Sequence, residues 1–208
     1  MRLGSRQGRR ARLAAQYVLQ WGTHDGQETT MADPDEEDLS PEEILREAET
    51  AFSKAARLFA TGHQEKSIIA FTEALELYSQ VEGTERQQAD CLNNTGIVMY
   101  ALGRREESLD YYRQALDLYR ELPATKQQQA DCLNCIGTAL RRTESDKEAV
   151  SAYRQALDLY RDLPGSERDR AACSYNISAA LHKTGRHEEA LAFYQQAQEV
   201  YPQPDGGR

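Results

Sequence analysis

The chain has 208 residues, of which 28% are charged, and its 25 lysines and arginines against 34 aspartates and glutamates give a formal net charge of −9. This negative charge repels phosphate and argues against a broad nucleic-acid-binding surface. The longest apolar run, 97–102, has six residues, whereas a membrane-spanning helix needs about 20. A polar chain of this size suits a thin array of repeated units that share one core.

The first 30 residues differ in composition from the rest. They contain five arginines and no acidic residue before Asp25, whereas residues 31–208 contain 20 basic and 32 acidic residues. The leader has no apolar stretch of the length found in a secretory signal peptide, about 7–15 residues. Its composition is that of a mitochondrial transit peptide, and the alternatives are a disordered leader or an upstream extension before Met31. We predict that residues 1–39, a basic leader and an acidic linker, are disordered and lie outside the fold.

The remainder of the chain repeats with a period of 41 residues. Six columns of similar side chains keep this spacing. They are Ala48, Ala89, Ala130 and Ala171; Phe71, Tyr112, Tyr153 and Tyr194; Ala74, Ala115, Ala156 and Ala197; Tyr78, Tyr119, Tyr160 and Tyr201; Cys91, Cys132 and Cys173; and Gly62, Gly103 and Gly185, with Glu144 in the remaining slot. We predict a four-unit array over 40–202, with units at about 48–88, 89–129, 130–170 and 171–202, and a disordered tail over 203–208.

Each unit is predicted to contain two helices. In the second unit, apolar or small residues recur every three or four positions from Ala89 to Met99, and a second stripe runs from Leu109 to Tyr119. Gly103 separates the two stripes. Because no segment alternates convincingly between apolar and polar residues, we predict no sheet.

Short motifs predict where the first helices of the units begin. A hydroxyl residue followed three positions later by an acid or an amide predicts a capping box, in which side chains bond to the free backbone N–H groups of the first turn. The motif opens at Ser40, Thr84 and Thr125, and Ser166 opens a similar one with Asp169.

The turn sequences 102–109 and 184–191, and the Asn-x-x-Gly segments 93–96 and 134–137, resemble those of tetratricopeptide repeats. The common repeat has about 34 residues, and the period of 41 is similar to the extended repeats of kinesin light chains and Leu-Gly-Asn-type polarity adaptors. The resemblance covers about residues 48–202. It implies an all-α fold, an α-solenoid of helix-turn-helix units that form a right-handed superhelix with a concave groove.

Close packing within each unit is predicted to depend on small residues. Gly96 and Gly137 let the two helices of a unit approach closely, and the aromatic column fills the space that is left. Three features depart from the family pattern: Glu144 and Ser178 replace glycines, and the first helix matches weakly.

Both ends of the array are predicted to be closed by polar residues, since no neighbour covers them. Lys54 and Arg57 replace mainly apolar residues of the later units, and Gln198 replaces a leucine of the earlier ones, while Pro202 ends the last helix. These replacements predict a complete array that is a monomer. The alternative is an open apolar end formed by Leu191, Tyr194 and Tyr201, which would make the protein dimerise.

No motif for catalysis or for nucleotide binding is present in the sequence. The cysteine column occupies a position of small packed residues, so Cys91, Cys132 and Cys173 are predicted to be core thiols. Cys132 and Cys135 form a lone Cys-x-x-Cys inside a helix with no second pair, which does not favour a zinc or redox site. We predict that the protein is not an enzyme and binds no metal and no cofactor. Reduced thiols favour the cytoplasm, with the mitochondrion as the alternative if residues 1–30 act as a transit peptide.

In the resembling family the first helices of successive units line the concave groove, which implies a set of binding residues here. Carried over by column, the candidate residues are Asp90, Asn93, Asn94, Asp131, Asn134, Arg141, Arg142, Tyr175, Asn176 and Lys183. An asparagine amide both donates and accepts hydrogen bonds, so it can pair with the backbone of an extended peptide of any sequence. The alternative for Asn94 and Asn176 is that they satisfy neighbouring helix backbones.

Arg141, Arg142 and Lys183 lie near one edge of this predicted groove, where they can meet an acidic side chain or a C-terminal carboxylate, the alternative being a solvated face. Phe52 and Ala56 occupy the positions where chaperone-binding clamps of the resembling family need a basic residue and an asparagine, so chaperone tails are not predicted ligands. The predicted function is a non-catalytic adaptor that binds a peptide segment of a protein partner, without nucleic acid or membrane. The alternative is a regulatory or peptide-sensing subunit that acts on an effector supplied in trans.

Overall fold

The structure is a computed structural model and describes residues 39–200. The predictions made for the leader 1–38, for Tyr201 and Pro202, and for the tail lie outside the described residues.

Eight α-helices and no strand are present in the described part of the chain. They are α1 (Pro41–Ala60), α2 (Gln64–Tyr78), α3 (Glu85–Ala101), α4 (Arg105–Glu121), α5 (Lys126–Arg142), α6 (Asp146–Arg161), α7 (Glu167–Lys183) and α8 (His187–Gln198). Each helix packs against the helices that precede and follow it in the chain. The array is therefore a helical solenoid of four helix-turn-helix units, and the predicted absence of a sheet holds for these residues.

The first helices of the units also contact one another. Helix α3 contacts α5, and α5 contacts α7, in addition to their neighbours in sequence. We call the surface that α3, α5 and α7 present together the inner face of the array.

The repeated columns form the core, as predicted, except for the glycine column, which lies in exposed turns. The alanine and tyrosine columns of the second helices are buried in units 1 to 3, and the cysteine column is buried in units 2 to 4. The Cys132 thiol donates a hydrogen bond to the Tyr112 carbonyl oxygen of the preceding unit at 3.0 Å, and the Cys173 thiol donates to the Tyr153 carbonyl oxygen at 3.0 Å. Burial raises the pKa of Cys91 and of Cys173 to about 12, so these core thiols stay protonated.

Close approach of the two helices of a unit is confirmed at both glycines. A Cβ atom at Gly137 would lie 2.7 Å from a ring carbon of Tyr153, and one at Gly96 would lie 2.7 Å from the ring of Tyr112. In unit 4 the equivalent residue is Ser178, whose hydroxyl donates a hydrogen bond to the Ala190 carbonyl oxygen at 2.7 Å.

The capping box predicted at Ser40 is confirmed. Ser40 Oγ accepts a hydrogen bond from the Glu43 backbone N–H at 3.3 Å, and Glu43 Oε2 accepts one from the Ser40 N–H at 3.0 Å. Pro41 then occupies the first helical position, where its missing N–H has no consequence. Helix α1 therefore extends further toward the N-terminus than the weak match of its sequence suggests.

The capping boxes predicted at Thr84, Thr125 and Ser166 are wrong. Helices begin at the next residue in each case, but none of the three side chains accepts a bond from a backbone N–H of its own helix. Thr84 and Thr125 accept bonds from the side-chain amides of Gln88 and Gln129. Each hydroxyl instead donates to the carbonyl oxygen of the tyrosine that lies six residues earlier, at 2.6 Å between Thr84 Oγ1 and the Tyr78 oxygen. The last carbonyl groups of a helix lack partners within it, and the three buried hydroxyls satisfy them at the turn between units.

Two turns beside α5 hold non-glycine residues in the left-handed region. Ala124 has a φ of 56° and Glu144 a φ of 62°. The residues one period from Ala124 are Gly83 and Gly165, with φ of 78° and 77°. The turns thus keep the same backbone geometry along the array. Ala124 and Glu144 adopt it although glycine, the residue that adopts positive φ most easily, is absent at these two positions.

We expect Glu144→Gly to raise the free energy of unfolding by about 1 kcal/mol, and Ala124→Gly to have a similar effect, because glycine relieves the contact between Cβ and the backbone at positive φ. Urea denaturation measures the change. Ala192→Gly, at an exposed position inside α8, is the matched control and should lower stability by about 1 kcal/mol. A loss of stability in all three variants would show that the two turns carry no strain.

Candidate functional site

All the binding residues predicted from the sequence lie on the first helices of units 2 to 4. Asp90, Asn93 and Asn94 are on α3; Asp131, Asn134, Arg141 and Arg142 are on α5; Tyr175, Asn176 and Lys183 are on α7. These helices form the inner face, so the residues share one side of the array. Their individual contacts differ, and these contacts separate the residues that hold the fold from those whose polar groups are still available.

Three half-buried side chains on the inner face form one hydrogen-bonded chain across two units. Arg141 Nη1 donates to Asn176 Oδ1 at 3.4 Å, and Asn176 Nδ2 donates to Asn134 Oδ1 at 3.3 Å. Both polar atoms of Asn176 are therefore used within the protein. No residue of the described chain accepts a hydrogen bond from Asn134 Nδ2, so Asn134 retains a donor.

Asn93 lies one period before Asn134, on the preceding unit. Its Oδ1 atom is buried and accepts no hydrogen bond within the described part of the chain. Among the predicted binding residues it is the one with a polar atom that is both buried and unsatisfied. Such an atom costs about 1–3 kcal/mol when no donor reaches it. The inner face thus has an available donor at Asn134 and, one period away, a buried acceptor without a donor at Asn93.

Asp90 and Asp131 join the two helices of their units. The Tyr119 hydroxyl donates to Asp90 Oδ1 at 2.6 Å, and the Tyr160 hydroxyl donates to Asp131 Oδ1 at 2.7 Å. Each pair is separated by 29 residues. The sequence analysis missed this link, although an acid at a constant distance before the tyrosine column was visible in units 2 and 3.

The pKa of the Asp131 carboxyl is raised above its ordinary value of 3.8, chiefly by burial, against which the hydrogen bonds from Tyr160 and Gln127 act. A carboxyl whose pKa is higher in the folded state stabilises the fold below its unfolded pKa, and this contribution is lost as the pH rises through the folded pKa.

The change in the free energy of unfolding that Asp131→Asn causes is therefore expected to be more positive at pH 7 than at pH 3. The reason is that asparagine keeps an acceptor for Tyr160 and carries no charge. Denaturant unfolding of both proteins at the two pH values measures the difference. A stability difference that does not change with pH, or that changes in the opposite direction, would contradict the raised pKa.

Two further predicted residues are engaged inside the protein. Asn94 Nδ2 donates to the Asp90 carbonyl oxygen of its own helix at 2.7 Å, which is the alternative considered from the sequence. Lys183 Nζ lies 3.0 Å from Oδ2 of the buried Asp146 at the start of α6, and ties unit 4 to unit 3. Their role in binding stays a prediction.

Exposed groups remain at the carboxyl ends of α5 and α7. Arg142 is exposed and has neither an ion pair nor a hydrogen bond to any described residue. His182 is exposed and its Nδ1 lies 3.1 Å from Nδ1 of His187, a contact that the sequence did not indicate. Tyr175 is also exposed, and its ring centroid lies 6.4 Å from that of Tyr194.

Residues 39–200 contain neither a metal-binding cluster nor a membrane-spanning helix. Within that range, no group of three or more histidine, cysteine, aspartate or glutamate side chains is arranged to hold a metal ion. No helix there combines the length and the apolar character needed to cross a membrane.

The fold is similar to those of several solved structures. BtubC (BKLC) from P. vanneervenii superposes with a TM-score of 0.70 at 19% identity, over 84% of this chain and 71% of that one. MamA superposes with a TM-score of 0.60 at 15% identity, over 77% of this chain and 84% of that one. Aspartyl phosphate phosphatase F from Bacillus subtilis superposes with a TM-score of 0.68 at 19% identity, over 77% of this chain but 42% of that one. Identities this low show a shared fold alone.

The sequence comparisons give the family. No curated protein matches the sequence significantly. The family model described as tetratricopeptide repeat matches residues 46–121 and again residues 128–203, which together are well over half of the chain. The two matches divide the array between units 2 and 3, so each covers two helix-turn-helix units. The chain belongs to the tetratricopeptide repeat family.

Proposed function

We propose that this protein is a non-catalytic adaptor that holds an extended peptide segment of a partner protein against the inner face of its array. The observation that carries the proposal is the buried, unsatisfied Oδ1 of Asn93, one period away from the available Nδ2 of Asn134. Membership of the repeat family supports protein interaction in general. The amides support the more specific mode of binding.

Each amide matches a different group of a peptide backbone. Asn93 Oδ1 needs a donor, which a peptide N–H supplies once the side chain has rotated to expose this oxygen. Asn134 Nδ2 needs an acceptor, which a peptide carbonyl supplies. Because both partners are backbone groups, this pair gives affinity for an extended chain with little dependence on its sequence.

Sequence preference would come from groups beside the amides. Arg142 is exposed and unpaired among the described residues, so it is free to meet an acidic side chain or a C-terminal carboxylate of the peptide. Arg141 and Lys183 already bind Asn176 and Asp146. We therefore propose that Arg142 selects acidic peptides, and that Arg141 and Lys183 chiefly hold the inner face in shape.

The proposal is tested by selecting peptides from a random library on the full-length protein and measuring their affinity by fluorescence anisotropy. Two lost hydrogen bonds, each contributing about 0.5–1.5 kcal/mol, predict that Asn93→Ala combined with Asn134→Ala weakens binding by about tenfold or more. The melting temperature should change by only a few degrees, because the folded protein loses one weak hydrogen bond, that between Asn134 and Asn176.

The matched control is Gln114→Ala combined with Gln155→Ala. These exposed amides are also one period apart, but they lie on α4 and α6 and bond only to carbonyl groups of their own helices. Their removal should leave affinity unchanged. Unchanged affinity in the asparagine variant, with a large loss of stability, would show that the asparagines are structural and overturn the proposal.

A further inference from the structure

The last helix of the array has an uncovered apolar side. In units 2 and 3 the second helix is covered by the following unit, so Leu109 and Val150 are only 7% and 5% exposed. Leu191 belongs to the same column and is 56% exposed, and Tyr175 nearby is 55% exposed. The polar replacement at Gln198 therefore closes this end of the array only in part.

The composition of this surface differs from that of the rest of the chain. Residues 190–198 contain no charged side chain, although 28% of the chain is charged. Beside them is an open pocket of about 270 Å³ lined by Ala171, Ala172, Tyr175, Asn176, Tyr194, Ala197 and Gln198. Loss of charge together with exposed aromatic residues is typical of the centre of a protein–protein interface.

We infer that this face is a self-association surface, on which α8 of one molecule packs against α8 of a second copy. A chain with a net charge of −9 repels its own copy over most of its surface. Residues 190–198 have no charged side chain and therefore do not add to this repulsion. Their side chains are apolar except for the Tyr194 hydroxyl and three glutamine amides, all of which both donate and accept hydrogen bonds, so the face is complementary to itself. The proposal replaces the expectation of a monomer.

The length of α8 sets the geometry of such a contact. Tyr194, Gln195 and Gln198 follow Leu191 by three, four and seven residues, so the four side chains form one stripe of the helix. A two-fold axis through the middle of His187–Gln198 makes the two helices antiparallel and brings Leu191 of each molecule against Tyr194 of the second copy. Charged Glu188 and Glu199 then lie at the edges of the contact.

Other occupants fit the surface less well. Each helix packs against its neighbours in sequence, so α1 and α8 lie at opposite ends of the array. The outer side of α1 exposes Lys54 and Arg57, which oppose burial against an apolar helix in a head-to-tail contact.

Sedimentation velocity of the full-length protein from about 1 to 100 µM tests the proposal. The mass is expected to rise from 23.5 kDa toward twice that value as the concentration rises. Leu191→Glu should weaken dimerisation by at least about tenfold, since it removes a buried leucine and places two like charges near the axis. Ile69→Glu is the matched control, because Ile69 is 68% exposed on α2 and lies outside the proposed contact; this variant should dimerise as the wild type does.

Circular dichroism of Leu191→Glu should match that of the wild type, since the side chain is exposed. A protein that is monomeric at 100 µM, or a dimer that Leu191→Glu leaves intact, would overturn the proposal. Trp21 is the one tryptophan of the chain and reports on the leader. A monomer whose Trp21 emission moves to longer wavelength in Leu191→Glu would show that the leader covers this face, and would also overturn the proposal.

Discussion

Gly137→Ala is expected to lower the free energy of unfolding by about 1–3 kcal/mol, the usual cost of adding atoms to a packed core. The new Cβ would lie 2.7 Å from the ring of Tyr153, which is completely buried between the helices of unit 3. The ring cannot move aside easily, because its hydroxyl lies 3.0 Å from Thr138 Oγ1 and is hydrogen-bonded to it. Either the helices must separate or the ring must leave its preferred rotamer.

The sign of this effect should reverse once the ring is removed. Tyr153→Ala alone is expected to cost about 3–5 kcal/mol, because it leaves a cavity where a fully buried aromatic side chain was. In that background Gly137→Ala meets no ring and gains the higher helix propensity of alanine, which is worth up to about 1 kcal/mol. The second substitution should therefore stabilise the Tyr153→Ala protein.

Denaturant unfolding of the four proteins in this cycle measures the coupling between the two sites. Gly96 and Tyr112 of unit 2 form an equivalent pair, with the same 2.7 Å approach, and provide an independent second cycle. If Gly137→Ala cost the same with and without the ring, the effect would come from the backbone alone, and the glycine would not be required for close packing.

The fold could be predicted from the sequence because the residues that form the core recur at the same spacing in successive units. The alanine, tyrosine and cysteine columns each appear several times at one spacing, and each position points to the same buried side of a helix. The turns are less well determined by residue type. Glu144 and Ala124 adopt the same left-handed geometry as the glycines one period away, since the packing of the helices on either side determines the turn.

The contacts of the candidate site were harder to predict. Asp90, Asn134 and Lys183 have similar places on the inner face, yet each has a different partner: Tyr119, Asn176 and Asp146. These partners are 29 to 42 residues away, so the pairing depends on how successive helices are rotated against one another. Periodicity places a residue on a face, but it does not specify that rotation.

The hydroxyl residues between the units show a second limit. Thr125 has the sequence pattern of a helix cap, and α5 does begin at the next residue. Its hydroxyl nevertheless donates to the Tyr119 and Leu122 carbonyl oxygens of the preceding helix. A local motif describes what a side chain can do for its own helix, whereas burial between two units decides which helix it serves.

Thr125→Ala is therefore expected to lower the free energy of unfolding by about 1–3 kcal/mol, because the Leu122 carbonyl oxygen loses its donor and the Tyr119 carbonyl oxygen loses one of three. The Thr125 side chain is only 1% exposed, so water does not replace it readily. The Gln129 side chain also donates to the Tyr119 carbonyl oxygen, which should keep the loss toward the lower part of this range. Thr125→Ser is the matched control, because Ser166 makes the same two bonds in the next turn between units.

Thr125→Asp separates this role from helix capping. Aspartate is among the best capping residues, and its negative charge suits the start of a helix, so it would preserve stability if Thr125 acted as a cap for α5. An ionised aspartate has no donor for the Tyr119 carbonyl oxygen and would place a negative charge beside it. We expect urea denaturation at neutral pH to show that Thr125→Asp is less stable than Thr125→Ala. Wild-type stability in Thr125→Asp would instead show that the hydroxyl caps α5, and that its contact with the preceding helix contributes little.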